Sequence, residues 1–335
     1  MDCRACGPFS DGSLAVVVFF TLSGLVLSQP FLRTADRRQV MRMAIGRYPR
    51  LAIPVTAASF LALVMLLRGW CWNQAAAPII AGSGWLGTFL HVQPQWQTWL
   101  RFSLFDAYLR YDGAQSYGPF LWTMEIEFLG SFLVFGILGL LGHTKLTRLL
   151  GCLMAAALFW HTLPFLIAFV VGLLIADLAT PLRACLGRFA DLVGLLLLGT
   201  AWVISALCRG AYTPVLVCLP ALMLVLSVAI STPLQRLLQV PLSRWLGRVS
   251  FPLYLVHGLV ICGPISWLLL HLHAIGLPDL WVAMVLVPTT LALSLLAAQA
   301  FLPIEQLAVR VSHETSTVVF ARLPKTAAAL RWVQH

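Results

Sequence analysis

Two carboxylates, Glu125 and Glu127, stand at the head of an apolar run in LWTMEIEFLG, Leu121 to Gly130. An ionisable side chain on a membrane helix costs about 2.5–3.5 kcal/mol at the bilayer centre, so it marks a site, an ion path or a buried partner. Positions two apart are about 200° apart around a helix. The pair therefore cannot serve one site as acid and base: one faces the bundle, the other the headgroups. Pairing with an arginine is the structural alternative for the inward one. A second cluster, RRQVMRMAIGRYPR, sets Arg47 and Arg50 three apart, on one face of a helix that begins before Pro49. Paired guanidiniums suit phosphate, because each donates two parallel hydrogen bonds to it. The same charges also read as a plain cytosolic anchor for a loop. His257 lies inside the apolar stretch WLGRVSFPLYLVHGLVI, where an imidazole either bonds within the bundle or acts on a substrate. His91 and His161 read as structural.

The elements that must position these groups are membrane helices. The chain has 335 residues, 60% hydrophobic and only 10% charged, with a mean hydropathy of +0.89, against roughly 25% charged residues in a soluble domain. Apolar runs recur at about the 20 residues needed to cross a bilayer. They predict an all-α, polytopic transmembrane helix bundle with nine spans: 14–31, 51–67, 119–141, 146–160, 162–179, 189–207, 213–230, 249–272 and 279–303. One membrane domain, 1–335, fills the chain, and its first partner is the lipid bilayer. The net charge of +10 sits in short stretches between these runs rather than on one soluble face, which argues against nucleic acid. Counted in alternate loops, seventeen Lys and Arg fall on one side and five on the other. The positive-inside rule then puts the N-terminus outside and the C-terminal tail, 304–335, in the cytosol.

The longest outer stretch, 68–118, holds five of the twelve tryptophans, with Tyr108, Tyr111 and Tyr117. It reads either as an interfacial segment, since indole and phenol rings favour the headgroup zone, or as a lid whose aromatic faces stack on sugars. Cys3 and Cys6 form a CxxC with no second pair or histidine cluster, so no metal site is expected. The polar opening, Met1 to Gly12, lacks the basic start of a signal peptide. No glycine-rich nucleotide loop and no GxSxG is present.

Together, FFTLSG (Phe19 to Gly24), RYPR (Arg47 to Arg50), LWTMEIEF (Leu121 to Phe128) and LGRVSFPLYLVH (Leu246 to His257) resemble, in order and spacing, four motifs of the acyltransferase type 3 family. These are integral-membrane enzymes that take an acyl group, often acetyl, from acyl-CoA and place it on a hydroxyl of a carbohydrate or other small hydroxylated acceptor. The resemblance implies that Arg47 and Arg50 hold CoA phosphates. It implies that Ser23 and Gly24 let helices pack closely around the acyl-carrying arm, and that Glu127 rather than Glu125 is the family's recurring glutamate. His257 falls in the family's penultimate-helix signature.

The family's usual ten helices include a first one that bears a basic residue and then a histidine thought to act as base. The nine spans here align from the second helix onward. A general base contributes roughly 10²–10⁴ in rate, so the 335-residue form is expected to insert with little activity and to leave a cleft beside Ser23. The alternative reading is a catalytically inactive family member, or a non-enzymatic membrane protein or transporter. Against a transporter stands the lack of an internal repeat of broken helices.

Overall fold

The computed structural model describes residues 12–80, 84–207 and 214–322. Cys3 and Cys6, and Arg4, Arg209, Lys325 and Arg331 of the charge count, lie outside them. Among the described residues every regular element is helical, which is how a chain with no water to solvate its backbone satisfies its amide groups within one segment. Helices α1 (Gly12–Thr34) and α2 (Arg37–Leu67) open the fold. Short helices follow: α3 (Asn73–Ala76), α4 (Gly84–Gly87), α5 (Trp96–Arg101) and α6 (Ala107–Leu109), the last two joined by a π-helical turn at Phe102–Asp106. Then come α7 (Trp122–Leu141), α8 (Lys145–Phe159), α9 (Leu166–Leu186), α10 (Ala190–Leu207), α11 (Pro214–Ile230) and α12 (Thr232–Leu238). The chain continues through α13 (Pro241–Val260), a π-helical turn at Ile261–Ile265, α14 (Ser266–Ala274) and α15 (Asp279–Arg322).

Each of the nine predicted apolar stretches falls on helix. Six helical segments are long and apolar enough to cross a membrane, or seven if the pair Cys218–Ile230 and Thr232–Leu238, bent by 94°, counts as one. The count is lower than nine because α9 and α10 run on as one 42-residue segment, Leu166–Leu207, while α8 has 15 residues and α11 has 17. Helix ends follow local chemistry. Ala35 takes a positive φ of 53° after α1, and the Asp36 carboxylate accepts from the Arg38 amide at 2.8 Å to open α2. At the start of α8, Thr144 and Thr147 cap one another's amides.

The helices form two compact units, each built from separated parts of the chain. The first takes residues 1–45, 126–243 and 316–335. Its core gathers Val17, Phe20, Phe31, Val134, Leu138, Phe169 and Leu173, with Phe20 stacked on Phe169 at 5.3 Å. The approach of α1 to α9 is set by glycines. A methyl at Gly24 would lie 2.1 Å from the Phe169 carbonyl oxygen, and one at Gly172 would lie 2.0 Å from that of Thr21. Small residues let helix backbones come this close when lipid supplies no hydrophobic drive between them. α9 occupies the notch at Gly24, while Ser23, half-buried, lies on a face of α1 with the exposed Phe19 and Val26.

This unit also holds a buried ion pair that the sequence reading missed. Arg148 donates to both oxygens of Asp177, at 2.9 and 2.8 Å, and to the Gly142 carbonyl at 2.9 Å, with both side chains about nine-tenths buried. Removing one partner leaves an uncompensated buried charge, at a cost of about 3–5 kcal/mol. Arg148→Ala is expected to lower the thermal midpoint of the detergent-solubilised protein by several degrees. Replacing both residues with apolar ones is expected to recover most of that loss, and an unchanged midpoint for the single variant would contradict a structural role.

The second unit takes residues 46–125 and 244–315. Here the aromatic stretch 68–118 carries the short helices α3 to α6. The helical run from α5 to α6 packs along α2, with the Trp99 indole donating to Ser59 Oγ at 3.1 Å and the Tyr48 hydroxyl to the Leu104 carbonyl at 2.8 Å. Ser59 and Tyr48 are eleven residues apart, roughly 16 Å along the helix. At the other end of α2, the Trp72 amide donates to the Cys262 carbonyl at 2.9 Å, and Gly263 lets the π-helical turn sit against Met65.

Candidate active site

Glu127 lies in the first unit, on the inward face of α7. It is 3% exposed, whereas Glu125 is half-buried. One turn on, Ser131 Oγ donates to the Glu127 carbonyl at 2.5 Å, and Gly130 makes room for the Phe169 ring, 2.4 Å from where a methyl would sit. Ser23 belongs to the same unit.

Arg47, Arg50 and His257 belong to the second. Arg47 and Arg50 lie ten and thirteen residues into α2, near its middle, and Arg50 is already engaged: its Nη2 lies 3.1 Å from Glu305 Oε1 on α15. Two residues' worth of sequence reading hid this partner, since the last span was drawn to end at 303 and Glu305 fell in the expected tail. Instead α15 continues through Arg322. The seam between α2 and α15 is tight one turn before, where Ser312 Oγ donates to the Gly46 carbonyl at 2.7 Å. An acidic residue just beyond an apolar run was the signal available in the sequence.

His257 sits on α13 with its ring flat against Phe120, at 4.7 Å between centroids and 4° between planes. The stacking is possible because residue 258 is glycine: a methyl there would lie 2.9 Å from Pro119 and 3.0 Å from the Phe120 ring. Nδ1 is 2.9 Å from the carbonyls of both Leu253 and Tyr254. Only an N–H at Nδ1 suits two carbonyl oxygens, so the neutral ring carries its free lone pair on Nε2. The Tyr254 hydroxyl donates to the Phe120 carbonyl, and Thr123 Oγ1 lies 2.5 Å from that hydroxyl. Phe120 and the start of α7 are thereby pinned to α13.

Arg50 and His257 are not neighbours along this unit. Met65, which meets Gly263, is fifteen residues beyond Arg50, roughly 22 Å up α2. Any ligand touching both must be long. Beside Phe120 lies an open cavity of about 630 Å³, lined by Phe89, His91, Tyr111, Phe120 and Trp122 among others. Burial pushes the Tyr111 phenol above its usual range, against a hydrogen bond with Ser116. Elsewhere in the same unit, burial pushes the Cys71 thiol up to about 11, which leaves it protonated and poorly nucleophilic at neutral pH. No group of three or more potential metal ligands occurs among the described residues.

A chain whose described residues form only helices, at least six of them of membrane length, is an integral, multi-pass membrane protein. Residues 8–299 match the family model of the acyltransferase type 3 proteins, described as an acyltransferase domain. The chain belongs to that family of membrane acyltransferases. Neither a curated protein nor a solved structure matches it significantly.

Proposed function

We propose that the protein transfers an acyl group, acetyl in the simplest case, from acyl-CoA to a hydroxyl of a carbohydrate or other small acceptor. The observation that carries this reading is the family match over 8–299, and the site chemistry supports it. In the reaction a base takes the acceptor's hydroxyl proton as the oxygen attacks the thioester carbonyl. The C–S bond breaks, and the departing thiolate takes up the proton. We assign His257 Nε2, in the second unit, as the base, and Glu127, in the first, as the buried carboxylate at the family's recurring position. Arg47 and Arg50 hold the donor's phosphates, and the length of α2 between Arg50 and Met65 suits an extended donor arm. Ser23, next to the α1–α9 crossing at Gly24, is assigned the close helix packing around the acyl-carrying arm that the resemblance implies. Basic-residue bias puts the N-terminus outside and the C-terminus in the cytosol, so the donor enters at the Arg47 end. Against the low activity expected of spans that align from the family's second helix onward, a base at His257 means that membranes from cells that overproduce the chain should move label from acyl-CoA onto a carbohydrate acceptor. No transfer above vector-only membranes, with the protein present and monodisperse, would overturn the proposal.

The Arg50–Glu305 pair favours a second reading, in which Arg50 is a tie between α2 and α15. The two readings separate in one experiment. Arg50→Ala is expected to raise the KM for acyl-CoA by roughly ten- to a hundredfold, the loss of charge-assisted hydrogen bonds worth about 1.5–3 kcal/mol. The acceptor KM should barely change, and lysine should rescue only in part, because it keeps the charge and loses the fork. A fall in thermal stability with donor KM unchanged would assign Arg50 to the tie alone.

A further inference from the structure

We infer that residues 96–118 form a re-entrant hairpin that enters the membrane beside α2, turns at the level of Tyr48, and sets Arg101 and Arg110 at its tip on phospholipid phosphates of that leaflet. This follows from α2 crossing the membrane and is independent of the acyl-transfer reading. Depth is read along α2. Phe60 meets Trp96 at 6.0 Å between ring centroids, and Tyr48 meets Tyr108 at 5.8 Å. Each pair is twelve residues from the other on both helical runs, so the two runs lie antiparallel and in step for roughly 18 Å. Tyr48 is nineteen residues short of Leu67, where α2 ends. That is roughly 28 Å, close to the whole hydrocarbon core of about 30 Å. The chain then comes back. The Tyr117 hydroxyl accepts from the Gln95 amide at 3.2 Å and lies 2.7 Å from Thr98 Oγ1. Phe102 faces both Tyr111 and Tyr117, at 6.4 and 5.7 Å between centroids. Both limbs thus open toward the Leu67 end of α2.

Irregular backbone at membrane depth needs its amides satisfied by protein or by water. Those of Arg110, Ala114, Gln115, Ser116 and Gly118 all donate within the hairpin. The charges agree with the depth. Arg101, mostly exposed, extends toward the tip, its Nε 3.2 Å from Asp106 Oδ2 five residues on, as a cation on an apolar stretch does when it reaches for the headgroups. Arg110, also exposed, lines the same open cleft of about 420 Å³, with Phe105, Asp106 and Leu109. Two guanidiniums against one carboxylate leave the cleft cationic. Phe105 and Leu109, 64% and 50% exposed, give it an apolar flank that suits acyl chains. A phosphate that carries tails matches both halves, whereas a free anion matches only one. Placing Arg101 and Arg110 on the Arg47 side also sharpens the bias in Lys and Arg, from seventeen against five to nineteen against three.

For the depth, Leu109→Cys, Met41→Cys and Gln74→Cys are introduced one at a time into the full chain, all three at exposed positions. A membrane-impermeant maleimide is applied to intact cells and to inside-out vesicles, and the label is read at the substituted position by peptide mass. Leu109→Cys should label from the same side as Met41→Cys, near the start of α2, and from the side opposite Gln74→Cys on α3. Labelling from the Gln74 side would make the stretch a surface loop, and labelling from neither side would stop the tip short of the headgroups; either result overturns the hairpin. For the lipid, the parent and the double variant Arg101→Ala, Arg110→Ala are titrated with phosphatidylglycerol in detergent and followed by native mass spectrometry. The variant should bind roughly ten- to thirtyfold more weakly, with its thermal midpoint close to the parent's, and lysine at both positions should restore most of the affinity. Equal affinity in parent and alanine variant would overturn the lipid assignment, as would displacement of the lipid by CoA or by inorganic phosphate.

Discussion

His257→Asn is expected to reduce acyl transfer by roughly 10²–10⁴, the usual contribution of a positioned general base, while the protein still folds. The choice of asparagine follows from the ring's surroundings. Nδ1–H is held by the Leu253 and Tyr254 carbonyls, and an asparagine amide keeps a donor near that position, so the interior of α13 does not lose its bond. What it cannot replace is the Nε2 lone pair. The loss should appear in kcat, with the KM for acyl-CoA close to the parent's, because donor phosphates are assigned to Arg47 and Arg50 some 22 Å along α2 from the level of Met65. His257→Gln provides the complementary test: its shape reaches toward Nε2 but carries no basic nitrogen. Parental turnover by the asparagine variant would make His257 a structural residue and leave Phe120 stacking as its whole role.

The second large effect concerns stability. Gly172→Ala adds one methyl group, yet that carbon would sit 2.0 Å from the Thr21 carbonyl oxygen and 2.6 Å from the Leu25 amide nitrogen. Both are backbone atoms, so no side chain can swing aside, and α1 and α9 must separate. Overpacking of this kind costs about 1–3 kcal/mol, and at a helix crossing the upper end applies because every contact along the seam is loosened. Gly24→Ala, 2.1 Å from the Phe169 carbonyl oxygen, should behave alike. Gly136 and Gly139 on α7 have open space where a methyl would go, so alanine there should be neutral or slightly stabilising through helix propensity. The measurement is the thermal midpoint of each variant in detergent by size-exclusion chromatography after heating. Equal midpoints for Gly172→Ala and Gly136→Ala would mean that the α1–α9 crossing is looser than its geometry indicates.

Much of this protein was readable before any fold was known, and for one reason. Where apolar runs of bilayer length recur, the backbone has no solvent for its amides, and helix is the answer for each run separately. The nine stretches all fall on helix for that reason, and the split between Glu125 and Glu127 follows from the turn of one helix alone. The four motifs that carry the family resemblance are likewise local. Partnership is not. Arg50 finds Glu305 across 255 positions, and Arg148 finds Asp177 on a neighbouring helix. Nothing in a run that is apolar on all sides announces which of its faces will be buried, so sequence pattern left each charge alone. The same limit hid the crossing at Gly24 and Gly172, which two separate glycines make only when their helices meet. It hid the packing of the tryptophan-rich stretch along α2. The bilayer decides that each segment is a helix; shape and charge across segments decide which helices touch, and with them the stacking of His257 on Phe120 and the cavity beside that ring.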